Sequence, residues 1–323
     1  MPTPSPVACG MALGFCADLI AGDPRRGHPV AGFGRAAAAL ERLLWRDRHT
    51  AGALYAALCA GPAVAAGALL EHRAATAPLP RALATAAVTW TVLGGTGLAR
   101  EAGRIAAALE AGRTERARAL LPGLCGRDPQ ALDADAIARA VVESVAENTS
   151  DAVVGALVWG AVGGIAGLAG FRAVNTLDAM VGHRSPRHRR FGWAAARLDD
   201  AAGLPGARLT ALLAALAGPD TPGALRAWGT DARRHPSPNA GVVEAAFAGA
   251  LGVRLGGTLS YGGRTEHRPV LNAPGRAVAA ADIGRAVRLS RRVGLLALAL
   301  TAGTRAAAGA LTRRATAAAG GRR

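Results

Sequence analysis

Residues 143–178 read ESVAENTSDAVVGALVWGAVGGIAGLAGFRAVNTLD. Carboxylates and an amide open this stretch, twenty uncharged residues follow at 152–171, and polar residues then return. On an α-helix Glu143, Glu147 and Asp151 are spaced four residues apart, so they share one face. Polar groups are costly to place beside an apolar span, and their presence there indicates a functional site. The alternative interpretation is an ordinary capped and solvated helix end.

Two further polar clusters lie downstream of the uncharged residues. They comprise Arg172, Asn175, Thr176 and Asp178, and then Asp199 and Asp200. The first three of these residues fall at i, i+3 and i+4, which is one side of a helix. Three separate clusters around one apolar segment favour a functional site over three independent solvated ends.

The composition favours an integral membrane protein. Of the 323 residues, 51% are hydrophobic, and the mean hydropathy is +0.22. Runs long enough to cross a hydrocarbon core of ~30 Å occur at 51–70, 82–99, 152–171 and 293–311. We therefore predict an all-α, polytopic integral membrane protein with about 4–6 hydrophobic helices, some of them re-entrant. Amphipathic surface helices are expected at 33–48 and 282–292.

The same patterns predict one membrane-embedded helical domain over residues 1–323, with a more soluble helical insertion at 100–140. None of the four cysteines belongs to a CxxC pair, which argues against a zinc site or a disulfide framework. The N-terminus lacks a basic region, and Asp18 interrupts its apolar run. We therefore expect this segment to remain in the mature protein.

Every basic residue in the chain is arginine. The 38 Arg outnumber the 22 acidic residues and give a net charge of +16. Without Lys, neither a Walker A phosphate loop nor a Lys nucleophile can form. The Arg residues lie between the apolar runs and few aromatic residues accompany them. This distribution favours positively charged membrane loops, and we expect no nucleic-acid partner.

The arginine distribution also predicts that the central apolar segment folds back. Residues 25–48 carry six Arg, residues 71–81 two and residues 100–139 seven, which places the first and third segments on the cytoplasmic side. Residues 172–197 are Arg-rich too, although a simple crossing by 152–171 would put them outside. A re-entrant segment keeps both flanking polar clusters on one side.

Polar motifs recur in order along nearly the whole chain. They are Asp18 with GDP at 22–24 and HPV at 28–30, ESVAENTSD at 143–151, RAVNTLDAMVG at 172–182, FGW at 191–193 with RLDD at 197–200, and SPNAG at 237–241 with Glu244 and Tyr261. With these motifs the chain resembles the adenosylcobinamide-phosphate synthase (cobinamide synthase) family of cobalamin biosynthesis, whose members are integral membrane proteins.

The resemblance implies ATP-dependent amide formation. Adenosylcobyric acid would supply a propionate carboxyl group, and (R)-1-aminopropan-2-ol or its O-phosphate would supply the amine. The carboxyl must first be activated, which an acyl phosphate formed from ATP would achieve, with Mg²⁺ and Arg carrying the phosphate charge. The implied partners are a corrinoid, a small amine and the lipid bilayer, and other cobalamin-assembly enzymes at the membrane are candidates. The implied location is the inner (plasma) membrane, crossed several times.

The resemblance also implies which residues form the site. The candidate Mg²⁺ ligands are Glu143, Glu147, Asp151 and Asp178. The candidate catalytic residues are Glu147, Asp151, Asp178, Asp199 and Asp200. The candidates for binding substrate or phosphate are Asp18, Asp23, His28, Asn148, Arg172, Asn175, Arg197 and Asn239. From this set we predict that Glu147, Asp151, Asn175 and Asp178 line one cavity. Asn239 is also predicted to cap the helix that follows it.

Two other classes of protein stay open at this point. Asn175-x-x-Asp178 is faintly similar to the Asp-rich motifs with which membrane prenyltransferases bind diphosphate through Mg²⁺, although the denser Asp repeat is missing. Polar groups at broken helices are also typical of transporters. Transport predicts substrate flux without ATP cleavage, whereas ligation predicts ATP-dependent consumption of adenosylcobyric acid.

Overall fold

The computed structural model describes residues 5–23, 27–130, 132–183, 185–261 and 264–320, with the backbone alone for 259–261, 264–266 and 312–320. The GDP motif at 22–24 and the Arg-rich residues 172–197 each include residues outside these ranges.

Helices make up most of the described chain. In order they are α1 (Pro6–Ala21), α2 (Pro29–Leu44), α3 (His49–Ala74), α4 (Pro78–Val92), α5 (Gly95–Glu110), α6 (Thr114–Leu120), α7 (Ala134–Thr149), α8 (Gly155–Leu177), α9 (Trp193–Ala217), α10 (Thr221–Asp231), α11 (Ala240–Leu251) and α12 (Ala280–Gly320). Short 3₁₀ turns occupy Leu121–Gly123 and Ala232–Arg234. Strands β1 (Leu255–Tyr261) and β2 (Arg264–Leu271) pair antiparallel.

Four helical stretches in the described ranges are long and apolar enough to cross a membrane. They are His49–Ala74, Pro78–Glu110, Ala134–Gly182 and Ala280–Leu311. The predicted all-α, polytopic membrane protein is therefore confirmed.

The hairpin β1–β2 is one departure from the predicted fold, because no strand was predicted. Residues of high β-propensity on both sides of a Gly-Gly pair are a typical hairpin signal, which the Gly-rich composition obscured.

The chain forms two compact units, which are described separately. Unit 1 comprises Met1–Gly94, Gly155–Ala202 and Ala297–Arg323, and unit 2 comprises Gly95–Val154 and Gly203–Leu296. The predicted single domain over residues 1–323 stays a prediction.

In unit 1 the central apolar segment reverses direction at Gly164. Helix α8 is interrupted there, with φ 59° and ψ −139°. A Cβ added to Gly160 would lie 3.1 Å from Leu168 Cγ, and one added to Gly155 would lie 2.8 Å from Phe171 Cε1. Residues eight and sixteen positions apart would be about 12 and 24 Å apart in a straight helix. The two legs of α8 therefore form an antiparallel hairpin, and the predicted reversal is confirmed.

Glu71 of α3 holds the tip of the α8 hairpin. Its Oε2 accepts a hydrogen bond from the backbone N–H of Ile165 at 3.0 Å, and its Oε1 pairs with Arg81 at 2.6 Å. The N–H groups at the start of a helix need acceptors, and a carboxylate also suits the positive end of the helix dipole. Gly67 of α3 packs on the same turn, because a Cβ there would lie 2.8 Å from Ala166 Cα. Helix α3 therefore fixes where the segment reverses.

The loop before α9 is anchored to α2 and α3. The Glu41 carboxylate accepts a hydrogen bond from Arg187 at 3.1 Å and lies 3.1 Å from His188 Nε2. Phe191 packs against Tyr55 with ring centroids 5.0 Å apart, and both side chains are fully buried. These contacts fix the start of α9, which carries the third polar cluster.

In unit 2, α11 is buried at every residue. It packs against α7, α10 and the β1–β2 hairpin. Asn272 ties the chain after the hairpin to the end of α11, because its Nδ2 donates to Ala248 O at 3.2 Å and to Val253 O at 2.9 Å. The core of unit 2 is therefore built around an entirely buried helix.

Candidate active site

The first two polar clusters each include a π-helical turn. Ser150–Val154 follows α7 and contains Asp151, and Asp178–Gly182 follows α8 and begins with Asp178. Such turns are rare and frequently occur at functional sites. In the second turn Gly182 makes room for the carboxyl group, since a Cβ on Gly182 would lie 2.7 Å from Asp178 Cγ. Residue spacing alone had not predicted these turns.

In unit 1 the second and third polar clusters come together. Arg172 Nη1 donates to Asn175 Oδ1 at 3.5 Å, and Asn175 Nδ2 donates to Asp199 Oδ1 at 3.4 Å. All three side chains are partly exposed. A guanidinium, an amide and a carboxylate thus form one hydrogen-bonded chain between α8 and the start of α9.

Three more predicted residues, Asp178, Arg197 and Asp200, join this group through their charges. The charges of His183 and Asp200 act on the carboxyl group of Asp178. Arg197 Nη1 lies 3.6 Å from Asp200 Oδ2, with the Arg197 side chain largely exposed. We call the combined set the unit 1 cluster; it consists of Arg172, Asn175, Asp178, Arg197, Asp199 and Asp200.

A cavity of about 250 Å³ adjoins the unit 1 cluster. Its lining comes from α2, α3, α4 and the second leg of α8, and consists of Pro29, Val30, Phe33, Ala63, Val88, Thr91, Val92, Ala169, Arg172, Ala173 and Thr176. Arg172 therefore belongs both to the cavity and to the polar cluster. The cavity is otherwise almost entirely apolar.

The predicted residues at the α1–α2 connection also lie in unit 1. Asp18 is buried on α1, and Asp23 is half-buried after it. His28 caps α2, because its Nδ1 accepts a hydrogen bond from Val30 N at 3.2 Å. His28 directly precedes Pro29, which lines the cavity.

In unit 2, Glu143 is committed to structural contacts. One carboxylate oxygen pairs with Arg127, and the other accepts a hydrogen bond from Gly256 N at 2.7 Å. Both side chains of the ion pair are 5% exposed. Glu147 is exposed on the same helix, and Asn148 Nδ2 donates to Ser144 O at 3.0 Å.

Sequence reasoning gave no role in the site to three residues that act on this group: His235, Glu244 and Arg268. His235 Nε2 lies 4.0 Å from Glu244 Oε1, and both side chains are buried. Burial raises the pKa of the Glu244 carboxyl well above its usual range, and the charges of Glu143 and Glu147 raise it further. The charges of Arg268 and Arg127 act in the opposite direction and lower it. The available signal was the single carboxylate in the apolar run AGVVEAAFAGAL at 240–251, which by default marks a functional or paired group.

Replacing Glu244 with Gln should reduce the loss of stability on going from acidic to alkaline pH. Burial raises the pKa of this carboxyl in the folded state. Its contribution to stability is therefore fully present at pH values below its ordinary pKa of 4.5, where the carboxyl is protonated. This contribution is lost as the pH rises through the folded value, with a slope of up to about 1.4 kcal/mol per pH unit. Unfolding measured from pH 5 to 9 in EDTA should show a flatter profile for Glu244→Gln, whereas the exposed Glu110→Gln control should follow the wild type. Identical profiles for all three proteins would contradict the expected protonation.

Asn239 occupies the N-cap position of α11, as predicted, but its side chain does not form the capping bond. Its Oδ1 instead accepts a hydrogen bond from Arg208 Nη1 at 2.7 Å. Ser237 Oγ takes the capping role, accepting from Ala240 N at 3.1 Å. The short Ser hydroxyl competes well for free N–H groups at a helix start.

The metal assignment of Glu143, Glu147, Asp151 and Asp178 stays a prediction. Among the residues whose placement is described, no three His, Cys, Asp or Glu side chains converge as a metal-binding group. Glu147 and Asp151 belong to unit 2, and Asn175 and Asp178 to unit 1, so the common cavity predicted for them also stays a prediction.

Comparison with known proteins gives a consistent result. The family model described as CobD/Cbib protein matches residues 11–290. "Cobalamin biosynthesis protein CobD" of Mycobacterium tuberculosis (strain ATCC 25618 / H37Rv) is 53% identical over 290 residues, covering 88% of this chain and 92% of the relative. Proteins of the same name from Rhodobacter capsulatus and Chromobacterium violaceum are 41% and 42% identical, covering 88% and 87% of this chain and 93% and 91% of the relatives. No solved structure matches the chain.

Proposed function

Because the chain belongs to the CobD/Cbib family of cobalamin biosynthesis proteins, we propose that it joins an amine to the propionate carboxyl group of adenosylcobyric acid in an ATP-dependent reaction. The amine is (R)-1-aminopropan-2-ol or its O-phosphate. In the net reaction ATP is cleaved to ADP and phosphate, the carboxyl C–O bond breaks and its oxygen leaves with the phosphate, a C–N bond forms, and the amine gives up protons. The hydrogen-bonded chain from Arg172 through Asn175 to Asp199 is the observation that carries this proposal.

The side chains of the unit 1 cluster suit Mg²⁺ and ATP. Mg²⁺ prefers oxygen ligands and is usually held by one or two carboxylates together with waters and substrate phosphates. Asp178, Asp199 and the Asn175 amide are such donors, and Arg172 and Arg197 are suited to phosphate. When bound, MgATP supplies the phosphoryl group that activates the carboxyl.

The protein's own residues then have separable roles. Arg172 binds and orients an anionic group, since a guanidinium pairs with a carboxylate or phosphate through two parallel hydrogen bonds. Asn175 holds one oxygen of Asp199 in place, at 3.4 Å. Asp199 or Asp200 accepts a proton from the attacking amine. Positioning and charge stabilisation therefore account for most of the expected catalysis.

The remaining parts of the proposal concern location and partners. Four membrane-capable helices and the Arg-rich loops support a multi-pass protein of the inner (plasma) membrane. A corrinoid and a small amine are its substrates. Other cobalamin-assembly enzymes at the membrane are candidate partners.

Ligation can be tested directly in nanodiscs or membranes. The protein is incubated with adenosylcobyric acid, MgATP and the amine or its phosphate, and mass spectrometry follows the amide. Product should form only with ATP present. A folded protein that forms no product would exclude the ligase, and substrate flux across vesicles without ATP cleavage would indicate a transporter.

Glu147→Gln should lower turnover at least about tenfold and raise the Mg²⁺ concentration needed for half-maximal rate, because an amide is a weaker metal ligand than a carboxylate. Asp135→Asn, an exposed substitution on the same helix, should leave both quantities unchanged. The measurement is the initial rate as a function of Mg²⁺ concentration. An unchanged Mg²⁺ dependence in Glu147→Gln would refute the metal role of this residue.

A further inference from the structure

We propose that the unit 1 cavity binds the carboxylic acid substrate and not the amine, with the carboxylate against Arg172 and an apolar part of the acid among the cavity walls. The inference rests on the proposed function, and it assigns one of the two substrates to a defined place.

The cavity walls favour an apolar group. Eight of the eleven lining residues are apolar. The two threonine hydroxyls already donate within their own helices, Thr91 to Ala87 O at 2.8 Å and Thr176 to Arg172 O at 2.7 Å. A polar ligand would lose hydration there without replacement hydrogen bonds, whereas an apolar group gains from leaving water.

The charge at the cavity selects an anion. Among the lining residues that the structure describes, Arg172 is the single charged one, and none is Asp or Glu. An ammonium group would therefore meet a like charge and no carboxylate on these walls. A carboxylate can form a bidentate pair with the guanidinium. Arg172 can do so while it donates to Asn175, because a guanidinium carries five N–H donors.

The size of the cavity limits what enters it. A water molecule occupies about 30 Å³ of the liquid, so a cavity of about 250 Å³ has room for roughly eight non-hydrogen atoms. A whole corrinoid is far larger. The cavity therefore takes the carboxylate-bearing arm of the acid with the apolar atoms beside it, next to the polar groups of the unit 1 cluster.

Binding of a small probe tests this assignment without any reaction. Hexanoate and hexylamine differ chiefly in the sign of their charge, and each is titrated by calorimetry into full-length protein in nanodiscs, with empty nanodiscs as the reference for partition into lipid. Hexanoate should bind the protein, and hexylamine should bind at least tenfold more weakly. Equal binding of both probes, or hexanoate uptake equal to that of empty nanodiscs, would overturn the proposal.

A matched pair of substitutions locates the binding. Ala63→Leu fills the cavity, whereas Ala65→Leu places the same side chain on an exposed position of the same helix. Hexanoate affinity should fall at least tenfold in Ala63→Leu and in Arg172→Gln, and should be unchanged in Ala65→Leu. Since Arg172→Gln adds no bulk, it tests the assignment even if Ala63→Leu folds poorly. Unchanged affinity in Arg172→Gln would refute the assignment.

The ligation assay separates this inference from the proposed function. In Ala63→Leu the KM for adenosylcobyric acid should rise while the KM for the amine stays constant. Suppose that the wild-type protein forms the amide, but that Ala63→Leu changes neither the KM for the acid nor the affinity for hexanoate. The cavity assignment then fails, and the ligase function stands. If hexanoate binds as expected and no amide forms, the ligase fails instead.

Discussion

Replacing Glu143 with Ala should lower the free energy of unfolding of unit 2 by about 3–5 kcal/mol, the usual cost of breaking a buried ion pair from one side. The carboxylate pairs with Arg127 and accepts a hydrogen bond from Gly256 N at 2.7 Å. Both charged side chains are 5% exposed. The Ala variant would leave a guanidinium charge and a backbone N–H without their carboxylate, and neither group could regain water without opening the fold.

Unfolding in mixed micelles with increasing denaturing detergent measures this effect. Glu143→Gln should be milder, because its amide oxygen can still accept from Gly256 N although the charge of Arg127 is no longer balanced. The matched control is Glu115→Ala, which removes an ion pair with Arg118 on the protein surface. The Glu115 side chain is 84% exposed. Its cost should stay below about 1 kcal/mol. Equal losses in Glu143→Ala and Glu115→Ala would show that the buried pair contributes little.

Glu143 shows what helical spacing can and cannot predict. The four-residue interval placed Glu143 and Glu147 on one side of a helix, and both do lie on α7. Yet Glu143 is buried and paired, whereas Glu147 is exposed. The difference comes from partners distant in sequence: Arg127 lies sixteen residues before Glu143, and Gly256 lies 113 residues after it. Periodicity within one helix carries no information about such partners.

Long-range charge patterns predicted more of the fold than local patterns did. The reversal of the apolar segment followed from Arg counts, because a straight crossing would have put basic residues on the wrong side. The π turns at Ser150–Val154 and Asp178–Gly182 had no comparable signal, since they depend on side-chain packing such as that of Gly182 against Asp178. The division into two units was equally hidden, because each unit is assembled from segments far apart in the chain.

For the candidate site, the sequence nominated residues but could not identify the groups that contact them. The sequence placed Arg172, Asn175 and Asp199 in a site, and the structure joins these three by hydrogen bonds. The sequence did not reveal that Arg172 also lines an apolar cavity, because the other walls of this cavity come from three separate helices. Glu244 was the avoidable omission, since a lone carboxylate in an apolar helix is visible in the sequence.

Gly164→Ala should destabilise unit 1 by about 2–4 kcal/mol and reduce amide formation. With φ 59° and ψ −139° the residue occupies a region that costs an L-residue about 1–3 kcal/mol. The added Cβ would also lie only 2.6 Å from Glu71 Oε1 and 2.8 Å from its Cδ. The Glu71 carboxylate would therefore have to move away from the Ile165 N–H, which starts the second leg of the α8 hairpin. Activity should fall because that leg carries Arg172 and Asn175.

Gly163→Ala is the matched control, one residue earlier in the same tip. Gly163 is exposed, and a Cβ there would meet no atom within 4 Å. Its substitution should be neutral or stabilising by up to about 1 kcal/mol, since Ala has the higher helix propensity. Glu71→Gln keeps an acceptor for the Ile165 N–H and should lie between the two variants. If Gly164→Ala and Gly163→Ala had the same stability and the same KM for adenosylcobyric acid, the reversal at Gly164 would not position the second leg. A rise in the KM for adenosylcobyric acid that is confined to Gly164→Ala would instead show that the geometry of the hairpin tip affects binding of the acid.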